Sequence, residues 1–314
     1  MDSNETIDKI RQKALALGFC ECGFAKVRML VEEQAHLERW LLEGNHGEME
    51  YMARNFYKRL DPRLMVENAK TMIVVLQNYF TQKKQTDACA PVLSKYAFGA
   101  DYHLVMKKKL FRLLEFIQKE ISPCTGSAFV DSAPVLERAW ARIAGLGWTG
   151  RNSNLISPLH GSFFFIGELV IDIDLQINAA TSIFDRCGKC RRCVDACPTQ
   201  AILPNRTIDA EKCISYQTIE HKGDIDEARQ GKFENRVFGC DICQDVCPWN
   251  RRAQSHNEPQ FEPQRQLMVM TKKEWQEMDE EQFNRLFGNS SVKRTGFERL
   301  KRNLKFIAGD AITR

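Results

Sequence analysis

The chain has 314 residues, 43% hydrophobic and 27% charged, with a formal net charge of +4. That is an ordinary globular balance and excludes wholesale disorder. No apolar run approaches the ~18 residues a membrane helix needs, and the polar, acidic start Met1-Asp2-Ser3-Asn4-Glu5 is unlike a secretory signal, so a cytoplasmic protein is expected.

In chain order, Ile7, Ile10, Ala14 and Leu17 recur at helical spacing and Gly18 follows as a stop. Thr71 to Leu76 is a short apolar, partly β-branched run, predicting a strand buried on both faces. Met106, Leu110, Leu113 and Ile117 predict an amphipathic helix over 104–119. Gly126 to Val130 reads as a strand ending at Asp131. A helix from about Pro134 carries Leu136, Trp140 and Ile143 and ends near Gly145 and Gly147, and Phe163 to Leu175 supplies further strand. Residues 1–180 therefore read as an α/β domain. Residues 181–255, rich in cysteine, proline and short polar turns, need a metal to organise them. Asn250 to Gln266 reads as a polar linker. Residues 256–314 form a basic helical C-terminal segment, with Phe283, Leu286, Phe297, Leu300, Leu304 and Ile307 as core positions.

Lys and Arg balance Asp and Glu up to residue 250, so the positive excess lies in the tail. Between Val292 and Lys305 stand Lys293, Arg294, Arg299, Lys301, Arg302 and Lys305 against the single acid Glu298. Such a run is either a solvated helix face or a contact for a polyanion.

Eight of the twelve cysteines fall between Cys187 and Cys247; the other four, Cys20, Cys22, Cys89 and Cys124, are simplest as buried apolar side chains. The run Cys187-x2-Cys190-x2-Cys193-x3-Cys197-Pro198 is the bacterial two-cluster ferredoxin pattern, in which the fourth thiolate ligates the other cluster. Cys240-x2-Cys243-x3-Cys247-Pro248 repeats that ending without one leading cysteine, and Cys213 is the replacement. Two [4Fe–4S] sites are expected: Cys187, Cys190, Cys193 and Cys247 on one, Cys197, Cys213, Cys240 and Cys243 on the other. Structural zinc fits less well, because its tetrahedral sites draw separated cysteine pairs.

The sequence resembles the epoxyqueuosine reductase family, cobalamin-dependent iron–sulfur enzymes of tRNA queuosine biosynthesis. The likeness is carried by Lys58-Arg59-Leu60-Asp61-Pro62, Gly99-Ala100-Asp101-Tyr102-His103, Val130-Asp131-Ser132-Ala133-Pro134-Val135-Leu136-Glu137-Arg138 and Gly145-Leu146-Gly147-Trp148 with Asn152. Gly161-Ser162, Cys213-Ile214-Ser215, Lys222-Gly223 and Gly239-Cys240-Asp241 continue it around the cysteine run. Longer members carry a C-terminal helical-repeat domain that this chain ends too early to contain, which leaves the basic tail as the expected tRNA contact, with Lys222 nearer the site.

The resemblance implies an α/β cobalamin-binding domain followed by a ferredoxin-like domain. It also implies reduction of an epoxide to an alkene and water, with Asp131 as proton donor. Around the corrin it implies Arg59, Ser94, Asp131, Leu136, Glu137, Arg138, Leu155, Ile166, Ser215 and Asp241. Asp101-Tyr102-His103 lacks the glycine of the Asp-x-His-x-x-Gly motif that ligates cobalt, so His103 reads as a packed or hydrogen-bonded side chain. Read from position alone, Asp131 could instead cap the helix that follows; a cap lowers a carboxyl pKa, whereas a general acid at neutral pH needs it raised. The expected partners are tRNA carrying epoxyqueuosine and a low-potential flavodoxin- or ferredoxin-type donor, and the expected state is a monomer. Competing readings are a corrinoid reductive dehalogenase and a non-catalytic iron–sulfur electron carrier.

Overall fold

The computed structural model describes residues 3–177 and 183–309. The expected domain boundary at 180–181 and the first two residues lie outside the described residues. Four strands, Glu21–Lys26 (β1), Thr71–Asn78 (β2), Gly126–Phe129 (β3) and Phe164–Ile171 (β4), make an antiparallel sheet in the order β1-β2-β4-β3. The first seven residues of β2 are buried, as its unbroken apolar run requires. Alternate side chains enter different cores. Ile73 and Val75 join Ile10 and Ala14 of helix α1 (Ser3–Ala16) and Met106, Leu110 and Leu113 of helix α2 (Tyr102–Glu120). Met72, Val74 and Leu76 join Trp140 of helix α3 (Glu137–Ile143) on the other face.

These elements fall within a few residues of the sequence expectations, with one exception that bears on function. Helix α3 begins at Glu137, with Leu136 at its cap position and no side-chain cap bond, not at Pro134. Strand β1 is not marked by the sequence pattern. Of the four scattered cysteines Cys22 is buried, Cys20 and Cys124 are half-buried and Cys89 is exposed, so the expectation of burial fails for Cys89.

The residues from 183 onward are not hung on a tether. A second core gathers Leu93, Ala97 and Phe98 from the first part of the chain, Phe233, Val237 and Phe238 from the cysteine-rich part, and Leu300, Leu304 and Ile307 of helix α5 (Phe297–Gly309). A short parallel ladder, Val92–Leu93 with Arg236–Phe238, runs through it. The stretch expected as a linker is docked as well: Asn250, His256, Glu258 and Phe261 are buried, Glu258 pairs with Lys109 of α2, and Phe261 lies edge-on to Phe165 of β4. Its polar residues are there to make buried bonds. Asn250 accepts from Ser162 N at 2.7 Å and donates to Gln244 O at 2.8 Å. No described helix is long and apolar enough to cross a membrane.

Candidate active site and cluster ligands

The chain leaves β3 at Phe129 and reaches Asp131 with φ +56, a left-handed conformation that is uncommon outside glycine. This turn sends the carboxylate toward the start of α2. Oδ2 of Asp131 accepts a hydrogen bond from the Tyr102 hydroxyl at 2.7 Å and lies 3.3 Å from His103 Nε2. Asp101 sets the histidine: its carboxylate caps α2 by accepting from His103 N at 3.0 Å and lies 2.7 Å from His103 Nδ1. Tyr102 is clamped between Phe165 at 4.0 Å and the His103 ring at 4.1 Å. Asp131 therefore does not cap α3. Its backbone N–H donates instead to Glu137 Oε1, the first residue of that helix.

The charges order themselves around this contact. Burial opposes a charge on His103, but the Asp101 and Asp131 carboxylates outweigh it and raise the imidazole to about 9. Burial likewise pushes Asp131 up, yet the hydrogen bonds from His103 and Tyr102 prevail and hold it below the usual carboxylate value. This reverses the direction a general acid at neutral pH needs: the exchangeable proton rests on His103 and the negative charge on Asp131, whose side chain is about half exposed. Burial, then the charge of Asp131, raises Glu137 to about 8. Glu168 on β4 is pushed well up for the same reasons, burial first and then Glu137. Burial also keeps the Tyr102 phenol protonated.

Asp131, Tyr102 and His103 open into a cavity of about 440 Å³ whose wall includes Trp40, Tyr96, Phe238 and Ile219. Of the residues expected around a corrin, Asp131, Arg138 and Ser215 line it directly. Arg138 donates to Ser153 O at 2.5 Å, and Ser215 stands in the first turn of helix α4 (Ile214–Ile219). Arg59 is buried, donates to Tyr51 O at 3.2 Å and feels the charges of Glu137 and Asp131. Leu136, Leu155 and Ile166 belong to the apolar core that also holds Trp140. Ser94 and Asp241 are buried together; Asp241 accepts from Lys95 N at 2.8 Å, and Ser94 N donates to the carbonyl of Phe238, which does line the cavity. Gly239 allows this close approach: at φ +71 it sits where a Cβ would come within 2.3 Å of Ser94 Oγ. Two buried donors, Arg59 Nε and Ser291 Oγ, have no hydrogen-bond partner among the described residues, and Ser291 lines the cavity.

The eight cysteines sort into two neighbourhoods. Burial raises Cys193 and Cys247; the charges of Cys247 and Cys187 add to it at the first, and those of Cys187 and Cys190 at the second. Cys240 and Cys243 feel Cys213, which feels Cys197; burial pushes Cys240 up to about 12 and raises Cys243 well above the usual thiol value. Thiols so buried ionise only against a cationic centre. Among the described residues no three Cys, His, Asp or Glu side chains converge on a single-ion site. Cys213 lines the cavity, whereas none of Cys187, Cys190, Cys193 and Cys247 does. The second neighbourhood is thus the inner one.

The tail cations divide by use. Arg302 donates to the carbonyls of Gln217, His221 and Gly223, and Arg299 to those of Ile219 and Thr295; they staple α5 to the cysteine-rich part. Lys293, Lys301 and Lys305 are exposed, as is Lys222. Arg294 lines the cavity and pairs with Glu220 at 2.5 Å.

His103 is hydrogen-bonded, one of the two readings the sequence offered, but neither its partnership with Asp131 nor the roles of Asp101, Tyr102 and Glu168 follow from the sequence pattern alone. The available signal was an Asp two residues before a His at a helix start, which predicts a cap that also grips the ring. Glu168, a lone acid in an apolar strand, was legible as an anomaly.

Comparison with known proteins follows this division of the chain. The family model described as "4Fe-4S double cluster binding domain" matches residues 186–250, and the one described as "Epoxyqueuosine reductase QueG" matches residues 59–132. The chain is 50% identical over 300 residues to the epoxyqueuosine reductase of Cellulophaga algicola, covering 96% of this chain and 97% of that one. It is 38% identical to that of Escherichia coli K12, covering 99% and 83% respectively. Among solved structures, the epoxyqueuosine reductase of Streptococcus thermophilus superposes with a TM-score of 0.85 at 28% identity, covering 98% of this chain and 81% of that one. An epoxyqueuosine reductase solved with an epoxyqueuosine-modified tRNA stem loop superposes with a TM-score of 0.87 at 26% identity, covering 98% and 82%.

Proposed function

This chain belongs to the epoxyqueuosine reductase family, and on that premise we propose that its cavity takes the modified wobble nucleoside of tRNA and reduces the epoxide to the alkene of queuosine. The observation that carries the reading is the cavity itself, where Asp131, held by Tyr102 and His103, shares a wall with Cys213 of the inner thiol group. Family membership also sets aside the dehalogenase and the pure electron carrier.

Cobalamin is the further group that the family implies, and the residues present fit it. An amide-armed macrocycle needs an apolar wall with dispersed donors, and Tyr96, Phe238 and Ile219 supply the first. Ser291 Oγ and, behind the wall, Arg59 Nε, both buried and unpartnered among the described residues, with Arg138 and Ser215 of the cavity wall, supply the second. Leu136, Glu137, Leu155, Ile166, Ser94 and Asp241 would complete the seat from behind. When bound, cobalamin would supply the electron-rich centre for attack on the epoxide, and the two clusters the electrons that restore it.

The chain's own residues manage the protons. Converting an epoxide to an alkene and water consumes two electrons and two protons. Asp131 lines the cavity and would pass the first proton to the epoxide oxygen, taking it from His103 Nε2 through their contact; solvent water re-protonates this pair for the second. Asp101 keeps the imidazole oriented and cationic, while Tyr102 holds the other side of the carboxylate. The exposed Lys222, Lys293, Lys301 and Lys305, with Arg294 of the cavity wall, would be the cations that contact tRNA phosphates. Anaerobically reconstituted protein should convert epoxyqueuosine-containing tRNA to queuosine tRNA, a mass decrease of one oxygen in nucleoside mass spectrometry. Absence of conversion in the presence of cobalamin and a strong reductant would overturn the assignment.

A further inference from the structure

Electrons must reach the cavity from outside, and the two thiol neighbourhoods are unequally placed to receive them. The inner group is enclosed by buried Ile214, Asp241 and Ile242, and its Cys213 faces the cavity. In the outer group Cys187, Cys190 and Cys193 are half-buried and Cys247 is buried, but the residues beside the first three are exposed. Around it stand exposed Arg186, Lys189, Arg191, Arg192, Arg251 and Arg252. Phe184, 84% exposed, rises among them. The exposed acids nearby are already matched: Asp185 with Arg206 at 2.5 Å, Asp195 with Arg191 at 3.4 Å and Asp245 with Lys95 at 2.6 Å. Arg191 is spent on Asp195, and the other five collar cations form no ion pair among the described residues, so the collar stays positive while the protein as a whole carries only +4.

An aromatic pair joins this collar to the thiols. The Arg186 guanidinium lies 6.0 Å from the Trp249 ring, Trp249 meets Trp148 edge-on at 4.9 Å, and the Trp148 indole donates to Cys187 Sγ at 3.5 Å. Packed side chains thus run from the surface charge to an expected ligand of the outer cluster.

We propose that this collar is the docking surface for an acidic, low-potential one-electron carrier protein. The carrier gives one electron to the outer cluster in each encounter and leaves oxidised by one electron, so each epoxide consumes two encounters. The inference rests on the reductase reading, which requires an external donor. Charge complementarity selects the occupant, since opposite potentials steer encounter and raise the on-rate. RNA would also be drawn to positive charge. However, the nucleoside must enter the cavity, whose rim has its own cation Arg294, and no cysteine of the outer group lines that cavity.

The test uses holoenzyme and a reduced flavodoxin. Stopped-flow reduction of the clusters should slow at least 10-fold at low salt in Arg251→Glu/Arg252→Glu, and its salt dependence should flatten. Reduction by methyl viologen radical, a small cation, should not slow, and tRNA affinity should be unchanged. Lys189→Glu provides an independent second variant, with iron content checked in both. Unchanged flavodoxin rate and salt slope in both variants would overturn the proposal. So would a loss of tRNA affinity with an unchanged flavodoxin rate, which would make the collar an RNA surface. Cluster reduction is read without turnover, so failure of epoxide conversion in the wild type would sink the reductase reading separately.

Discussion

At the residue scale the proposed proton donor is a pair of side chains. Asp131 offers geometry and His103 holds the proton, because two carboxylates raise the imidazole to about 9 against the cost of burying it. We predict that Asp131→Asn folds and loads both clusters but loses about 10²-fold or more in turnover measured with excess chemical reductant. Normal turnover would return the role to another acid. His103→Gln should lose the alkaline limb of the pH–rate profile, which in the wild type should fall as pH rises through about 9. The sign for stability is the same. A raised histidine contributes stability that is complete below its ordinary 6.5 and fades as pH rises through about 9, a trend that denaturation midpoints against pH would show. Asp131 was legible through family likeness. Its charge state was not, because His103 stands 28 positions away in the chain and only the left-handed turn at 131 brings the two together.

Elements are where the sequence speaks most clearly and where its silence is also explicable. Periodicity located α1, α2, β2 and β4 because each buries a stripe or a face against neighbours. It missed β1, whose Cys22-Gly23-Phe24-Ala25 has neither alternation nor β-branched residues. It also mistook 250–266 for a linker, since a buried hydrogen-bonding segment has the composition of a solvated one. The cysteine loops were read from spacing alone, and Cys213→Ala should remove one cluster and leave about half the iron by elemental analysis. Retention of both clusters would show that another residue is the eighth ligand. Helix α5 is held by Arg302, which caps three carbonyls of the 217–223 region. Arg302→Met should therefore destabilise the protein by about 2 kcal/mol in chemical denaturation, with little change in the salt dependence of tRNA binding.

At the scale of the whole molecule two charged faces are proposed to have different duties: a C-terminal set for tRNA phosphates and the collar beside the outer thiols for the electron donor. Charge reversal at Lys293, Lys301 and Lys305 should weaken tRNA binding and reduce the slope of log affinity against log salt, by roughly 0.7–0.9 for each phosphate that is no longer neutralised. An unchanged slope would make the tail a solvated helix face. The pairing of distant strands has a consequence for how the protein is made. Thr71 pairs with Ile171, and Val92 with Arg236, so a growing chain holds β2 with only β1 beside it until residue 171 has left the ribosome. The Val92 ladder waits longer still, for Arg236, which precedes Cys240, Cys243 and Cys247 in the chain. Closing loops of that length is slow. Neither set of four thiols is complete before then, so iron–sulfur loading falls late in synthesis, after the strands that will flank the clusters have already been made.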